Sequence, residues 1–152
     1  GHEERPSDAF ARGGDGGASQ HDTAADSEVA GTVTVRDVVQ RTDVAHFRAH
    51  TAPLGLLAWD PSGLMLVTAS VYGHNINVFQ ISPSGGSSGA VHLFKLSRGM
   101  TPALITDVSF SRSGDLLAAS SARGTTHLFR LGGAAGSPCH LSALMLRGER
   151  PG

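Results

Sequence analysis

The sequence predicts an all-β chain: a β-propeller fragment of two blades plus a strand of a third, preceded by a disordered N-terminal segment. Three observations carry that expectation. From Gly31 onward the chain runs in short, partly alternating apolar stretches punctuated by Gly, Pro, Ser and Asp, the pattern of strands and tight turns. Glycine reaches 20 of 152 residues, which favours turn-rich β structure over helix. Most informative is an internal repeat: the steps from Gly63 to Gly114 and from Gly73 to Gly124 are both 51 residues, with no gap between the anchors. A period of that size marks a repeated supersecondary unit, and four short strands in 40 to 50 residues is the length of a propeller blade.

Each element follows from its own stretch of sequence. Residues 1–29 are rich in Gly, Ala, Asp, Ser and Glu, with Phe10 the only large apolar side chain before Val29, so they cannot bury enough surface to offset the entropy of ordering. Residues 30–131 form the partial propeller. Gly31–Asp37 resembles a third strand of a blade, and Val44–Ala49 an outer strand. The first repeat supplies strands at Leu54–Trp59, Leu64–Ser70 and Asn75–Ile81, separated by Asp-Pro-Ser-Gly and Tyr-Gly-His turns. The outer strand Val91–Leu96 leads into the second repeat, Leu104–Phe110, Leu116–Ser121 and Thr125–Leu131. Alternation within Leu104–Phe110 puts Leu104, Thr106, Val108 and Phe110 on one face and Ile105, Asp107 and Ser109 on the other. Residues 132–152 read as a loop, then either an apolar segment or the start of a further strand at Leu141–Leu146, then a frayed tail. A β-sandwich would show similar strands, but not the gap-free repeat.

A closed propeller needs at least about four blades. The chain starts at Gly1 rather than Met, so it reads as a partial or processed product whose blades are completed by further sequence, or else as an incomplete product of marginal stability. A net charge of −1 supplies no bulk basic field for nucleic acid. The single cysteine, Cys139, rules out an internal disulfide and a cysteine-based zinc cluster and fits a reducing, cytoplasmic setting. No apolar run approaches the roughly 18 residues of a spanning helix. The eight histidines lack the helical spacing of a zinc hydrolase motif, Gly13–Gly17 lacks the lysine of a phosphate loop, and no nucleophile elbow occurs. No cofactor, metal or catalytic residue is expected, and the protein is not expected to be an enzyme.

Several separated motifs carry a resemblance. His50-Thr51-Ala52-Pro53-Leu54, Asp60-Pro61-Ser62-Gly63, Val67-Thr68-Ala69-Ser70 and Gly73-His74-Asn75-Ile76-Asn77-Val78-Phe79 occur in that order, followed by Leu96-Ser97-Arg98-Gly99 and Ser120-Ser121-Ala122-Arg123-Gly124-Thr125-Thr126-His127-Leu128-Phe129. Over residues 31–131 the chain resembles the fifth and sixth blades of the PROPPINs, the seven-bladed, WD-repeat-like, phosphoinositide-binding propellers of autophagy. It is similar above all to the branch of the breast carcinoma amplified sequence proteins and plant autophagy-18-type proteins. His50 then stands where a blade histidine braces a turn in WD-repeat proteins.

The resemblance implies function residue by residue. In that family a Phe-Arg-Arg-Gly motif sends its two arginines into two separate headgroup pockets. Here Ser97 replaces the first arginine, and His74 and Asn77 stand where the family has Thr and Arg, so one pocket is degraded. The second keeps its parts: Arg98 matches the second arginine, and Ser121, Thr125 and His127 match the hydroxyl and imidazole groups lining that site. A guanidinium makes paired, charge-assisted bonds to phosphate oxygens, hydroxyls add further ones, and a partly charged imidazole adds a pH-sensitive donor. From spacing alone the plainer reading prevails: Arg98 as a solvated edge residue, Ser121 and Thr125 as turn formers and His127 as a packed strand residue. A bilayer-dipping loop of the family corresponds to the stretch after Leu131 that begins Gly132-Gly133-Ala134. The expected function is phosphatidylinositol 3-phosphate binding by an adaptor that sits peripherally on autophagic or endosomal membranes and meets autophagy-related proteins. The alternatives are a protein-binding scaffold without lipid binding and a non-functional fragment.

Overall fold

In a computed structural model, residues 29–82 and 89–132 and the strand Leu146–Arg147 are described. Residues 1–28 of the expected disordered segment, Gly132–Pro138 beyond its first residue, and Leu141–Met145 lie outside the described residues. The described strands form three antiparallel sheets. A hairpin pairs β1 (Thr32–Asp37) with β2 (Thr42–Arg48). A four-stranded meander follows: β3 (Leu54–Trp59), β4 (Met65–Ser70), β5 (Asn75–Ile81) and β6 (Ala90–Ser97). A second meander comprises β7 (Ile105–Phe110), β8 (Leu116–Ser121), β9 (Thr125–Arg130) and β10 (Leu146–Arg147). The all-β blade architecture is as expected, with β2 completing β1 into a hairpin. Leu146 and Arg147 pair with Thr126 and Thr125.

The sheets stack face to face, which explains the texture of the central strands. β4 and β5 are buried on both faces and therefore read as nearly continuous apolar runs rather than clean alternation. Leu66, Phe79 and Ile81 meet Val33, Ala45 and Ala49 of the hairpin and its loop. On the opposite face Val67, Ala69, Ile76, Val78 and Leu96 meet Ile105, Leu117, Ala119, Phe129 and Leu131 of the second meander. A hydrogen bond of 2.9 Å between His50 Nε2 and Thr68 Oγ1 ties the β2–β3 loop to the middle of β4.

The repeat shows in the turns. Asp60 is buried, and its carboxylate accepts bonds from the backbone N–H of Leu64 (3.0 Å) and Met65 (2.8 Å) and the hydroxyl of Ser62 (2.6 Å). Burial works to raise its pKa, but these donors outweigh burial and hold the carboxyl below its ordinary value. In the second repeat Ser111 takes that place: its hydroxyl donates to Asp115 (2.8 Å) and accepts from the N–H of Leu116 (3.0 Å). The turn is the same and its chemistry is exchanged between positions. Gly63 and Gly114 close the two turns at φ of 73° and 74°, where a side chain is strained.

One sequence expectation is overturned. Ile105 pairs with Ser121 and Asp107 with Ser120, which leaves Thr106 as the extra residue of a β-bulge. The bulge shifts the side-chain phase, so Ile105 is buried in the core and Leu104 and Thr106 are exposed, while Val108 and Phe110 still pack inward. Leu104 and Thr106 therefore do not share a core face with Val108 and Phe110. Gly55 occupies the same place in β3, between Leu54 and Leu56, so the bulge belongs to the repeat.

Candidate functional site

The expected site residues lie at or near the edge where the β4–β5 and β8–β9 turns sit beside the chain crossing from β6 to β7. Backbone bonds fix that crossing: Arg98 N–H donates to the His74 carbonyl (2.8 Å), Ala103 N–H to the Tyr72 carbonyl (2.9 Å) and Ala122 N–H to the Leu104 carbonyl (2.9 Å). Arg98, half-buried just past β6, is anchored by its own side chain. Its Nε donates to the Gly73 carbonyl at 2.6 Å, and its Nη2 donates to the Thr101 carbonyl. Both acceptors are neutral, and among the described residues the positive charge has no carboxylate partner. The site can form only because Gly73 is a glycine: at φ 57° its backbone lies so close to the crossing that a Cβ would stand 2.0 Å from the Ala103 carbonyl oxygen.

Ser121 ends β8 and Thr125 starts β9, and the turn between them brings their hydroxyls to 2.9 Å, with Gly124 N–H bonded to the Ser121 carbonyl. His127 lies two residues along β9 on the face toward the first meander, 2% exposed, with its ring stacked on Phe129 at 6.2 Å. Its Nδ1 is buried without a hydrogen-bond partner. Burial first and the Arg98 charge second hold its pKa below the ordinary histidine value. The structure thus joins Ser121 to Thr125 directly and sets Arg98 within electrostatic reach of His127. Among the described residues Arg98 makes no hydrogen bond to the other three. Burial and the Arg98 charge both disfavour the charged imidazole that the sequence reading expected, and the ring's Nδ1 is enclosed without a partner among the described residues.

Sequence reading missed Arg123. It is exposed in the β8–β9 turn, and its charge, after burial, depresses the pKa of Arg98. Two guanidiniums near one another without a carboxylate form a local field suited to an anion of more than one charge. The available signal was its place between Ser121 and Thr125. The residues at the place of the other expected pocket are arranged differently. Ser97 is exposed and pairs with Asn75 across β5–β6. His74 Nδ1 is hydrogen-bonded to the Gly99 carbonyl (3.1 Å), and Asn77 Nδ2 donates to the Ala49 carbonyl (2.8 Å). These groups fasten loops. Among the described residues no group of three or more His, Cys, Asp or Glu side chains could hold a metal ion, and no helix is long and apolar enough to cross a membrane.

Two histidines with lowered pKa, His127 buried and His50 half-buried, make stability depend on pH. For His50, as for His127, burial is the main cause. Above the unfolded value of about 6.5 neither state binds the proton; as pH falls below it the unfolded chain protonates first, so stability declines. Chemical denaturation at pH 7.5 and 5.5 is expected to show a lower midpoint at the acidic pH, and His127→Gln is expected to reduce the difference. An unchanged midpoint in the native sequence contradicts the burial of these rings as neutral groups.

Comparison with known proteins places the blades. The family model described as BCAS3, WD40 repeat matches residues 20–145. Autophagy-related protein 18f of Arabidopsis thaliana is 45% identical over 117 residues, covering 73% of this chain and 15% of that protein. A breast carcinoma-amplified sequence 3 homolog of Drosophila melanogaster is 43% identical over 105 residues, covering 65% of this chain and 9% of that protein. The chain therefore spans a small part of the length of these relatives. Among solved structures, Hsv2p of Kluyveromyces lactis superposes with a TM-score of 0.56 at 28% identity, over 73% of this chain and 33% of that one. The Cps50 (Swd1) β-propeller domain of Myceliophteria thermophila has a TM-score of 0.61 over 80% of this chain and 36% of its own, and at 18% identity it bears on the fold alone. With the family model matching most of the chain, and a repeat of four-stranded sheets stacked face to face, the chain belongs to the BCAS3 WD40-repeat family.

Proposed function

We propose that the chain binds a phosphoinositide headgroup, phosphatidylinositol 3-phosphate, at the edge formed by Arg98, Ser121, Thr125 and His127, as part of an adaptor held peripherally on autophagic or endosomal membranes. The observation that carries this reading is the arginine itself. Arg98 is held in place by two backbone carbonyls, half-buried, with another cation rather than an acid acting on it. A fixed guanidinium without a counter-charge, beside two paired hydroxyls, matches a phosphate ester: the guanidinium supplies charge-assisted bonds and Ser121 and Thr125 supply neutral ones. The neutral His127 contributes a ring nitrogen to a sugar hydroxyl or phosphate oxygen. The relatives named as autophagy-related proteins support the membrane setting.

Flotation of the full chain with vesicles containing phosphatidylinositol 3-phosphate tests the reading. The native protein is expected to float and Arg98→Glu to lose at least about tenfold in binding, since it removes a charge-assisted contact and adds a repulsive charge. Equal flotation of the two removes Arg98 from the site. Absence of flotation by both favours the protein-binding scaffold.

A further inference from the structure

The crossing that carries Arg98 also carries Met100, which is 92% exposed, one of the most exposed large apolar side chains among the described residues. Across from it, in the β4–β5 turn, Tyr72 is 52% exposed, with its ring stacked against His74 at 6.3 Å. The two segments are fastened together: the Tyr72 carbonyl accepts from Ala103, the Gly73 carbonyl from Arg98, and the Thr101 carbonyl, next to Met100, accepts from the same guanidinium. Met100 is thus held out by a loop whose base is clamped by the site arginine, and it stays in water in the isolated chain.

We propose that Met100, with Tyr72 beside it, is an apolar wedge that enters the outer layer of a lipid bilayer when the adjacent edge engages its headgroup. The occupant follows from the charges around the wedge. Arg98 lies two residues before Met100, the Arg123 charge acts on Arg98, and among the described residues no carboxylate does, so the surface combines attraction to anionic headgroups with exposed apolar side chains that gain by leaving water. Methionine is unbranched and adapts to a disordered acyl boundary, and tyrosine suits the interface, where one end is apolar and the other wet. This wedge lies on the β6–β7 crossing, apart from the chain that follows Leu131. It rests on the headgroup reading above.

The test separates the two. Met100→Asp should leave titration of the full chain with a water-soluble, 3-phosphorylated inositol headgroup unchanged, while its binding to vesicles containing phosphatidylinositol 3-phosphate falls about tenfold or more. Met100→Cys in a Cys139→Ser background, labelled with an environment-sensitive fluorophore, should shift to the blue and brighten on those vesicles and not with the soluble headgroup. Vesicle binding by Met100→Asp equal to native, or a label that stays in water on bound vesicles, overturns the wedge and leaves the patch to a protein partner. Failure of the native chain to bind the soluble headgroup overturns the headgroup reading instead.

Discussion

Gly73→Ala is expected to lower stability by about 2–5 kcal/mol and to weaken vesicle binding at the same time. Holding a non-glycine residue at φ 57° costs about 1–2 kcal/mol. The methyl group would also stand 2.0 Å from the Ala103 carbonyl oxygen and 3.2 Å from Ile105 Cγ1, so the crossing to β7 must move, with the roughly 1–3 kcal/mol typical of overpacking. Gly63→Ala is the control: its φ is 73°, nothing lies within 4 Å of the added methyl, and only the backbone cost is expected. Because the Gly73 carbonyl anchors Arg98, the strained variant should lose binding as well as stability, whereas Gly63→Ala should keep its binding. Urea denaturation and vesicle flotation read the two effects. Equal losses for the two glycines would show that the turn and the crossing are not in contact.

Leu117→Ala is expected to cost about 2–5 kcal/mol, a large share of the 5–15 kcal/mol that holds a typical domain. Leu117 is fully buried where the two meanders meet, in one cluster with Val67, Val78, Ile105 and Phe129. The truncation therefore opens a cavity between sheets rather than within one, and it tests the stacking that defines the blades. Leu64→Ala, at an exposed position of the first-repeat turn, should stay within about 0.5 kcal/mol of the native chain. If both substitutions cost the same in urea denaturation, the sheets are not packed through Leu117.

Much of this was legible from residue patterns because the repeat is written in residues with strong local physics. Gly63, Gly73, Gly114 and Gly124 all adopt positive φ, so the glycines that set the register are also the ones that the turns require. Strands β3 to β5 and β7 to β9 fall within a residue of their expected limits. The bulge at Thr106 was not legible: Leu-Ile-Thr-Asp-Val-Ser-Phe alternates well in either phase, and only pairing with β8 decides which isoleucine or leucine goes inward. At the site, Ser121, Thr125 and His127 could be named from the resemblance, and their placement on one edge follows from a tight turn with a two-residue step along β9. The burial of His127 and the influence of the Arg123 charge on Arg98 could not be read, because both depend on tertiary placement. The carbonyl clamp on Arg98 comes from Gly73 and Thr101, residues whose side chains carry no such signal.

Isothermal titration of the full chain with a soluble 3-phosphorylated inositol headgroup, run for the native sequence and Arg98→Ala, addresses the headgroup site without the contribution of a membrane. The account predicts saturable one-site binding by the native chain that weakens as salt rises, and a loss of at least about tenfold in an Arg98→Ala chain that still unfolds cooperatively. Native affinity retained by Arg98→Ala would contradict it.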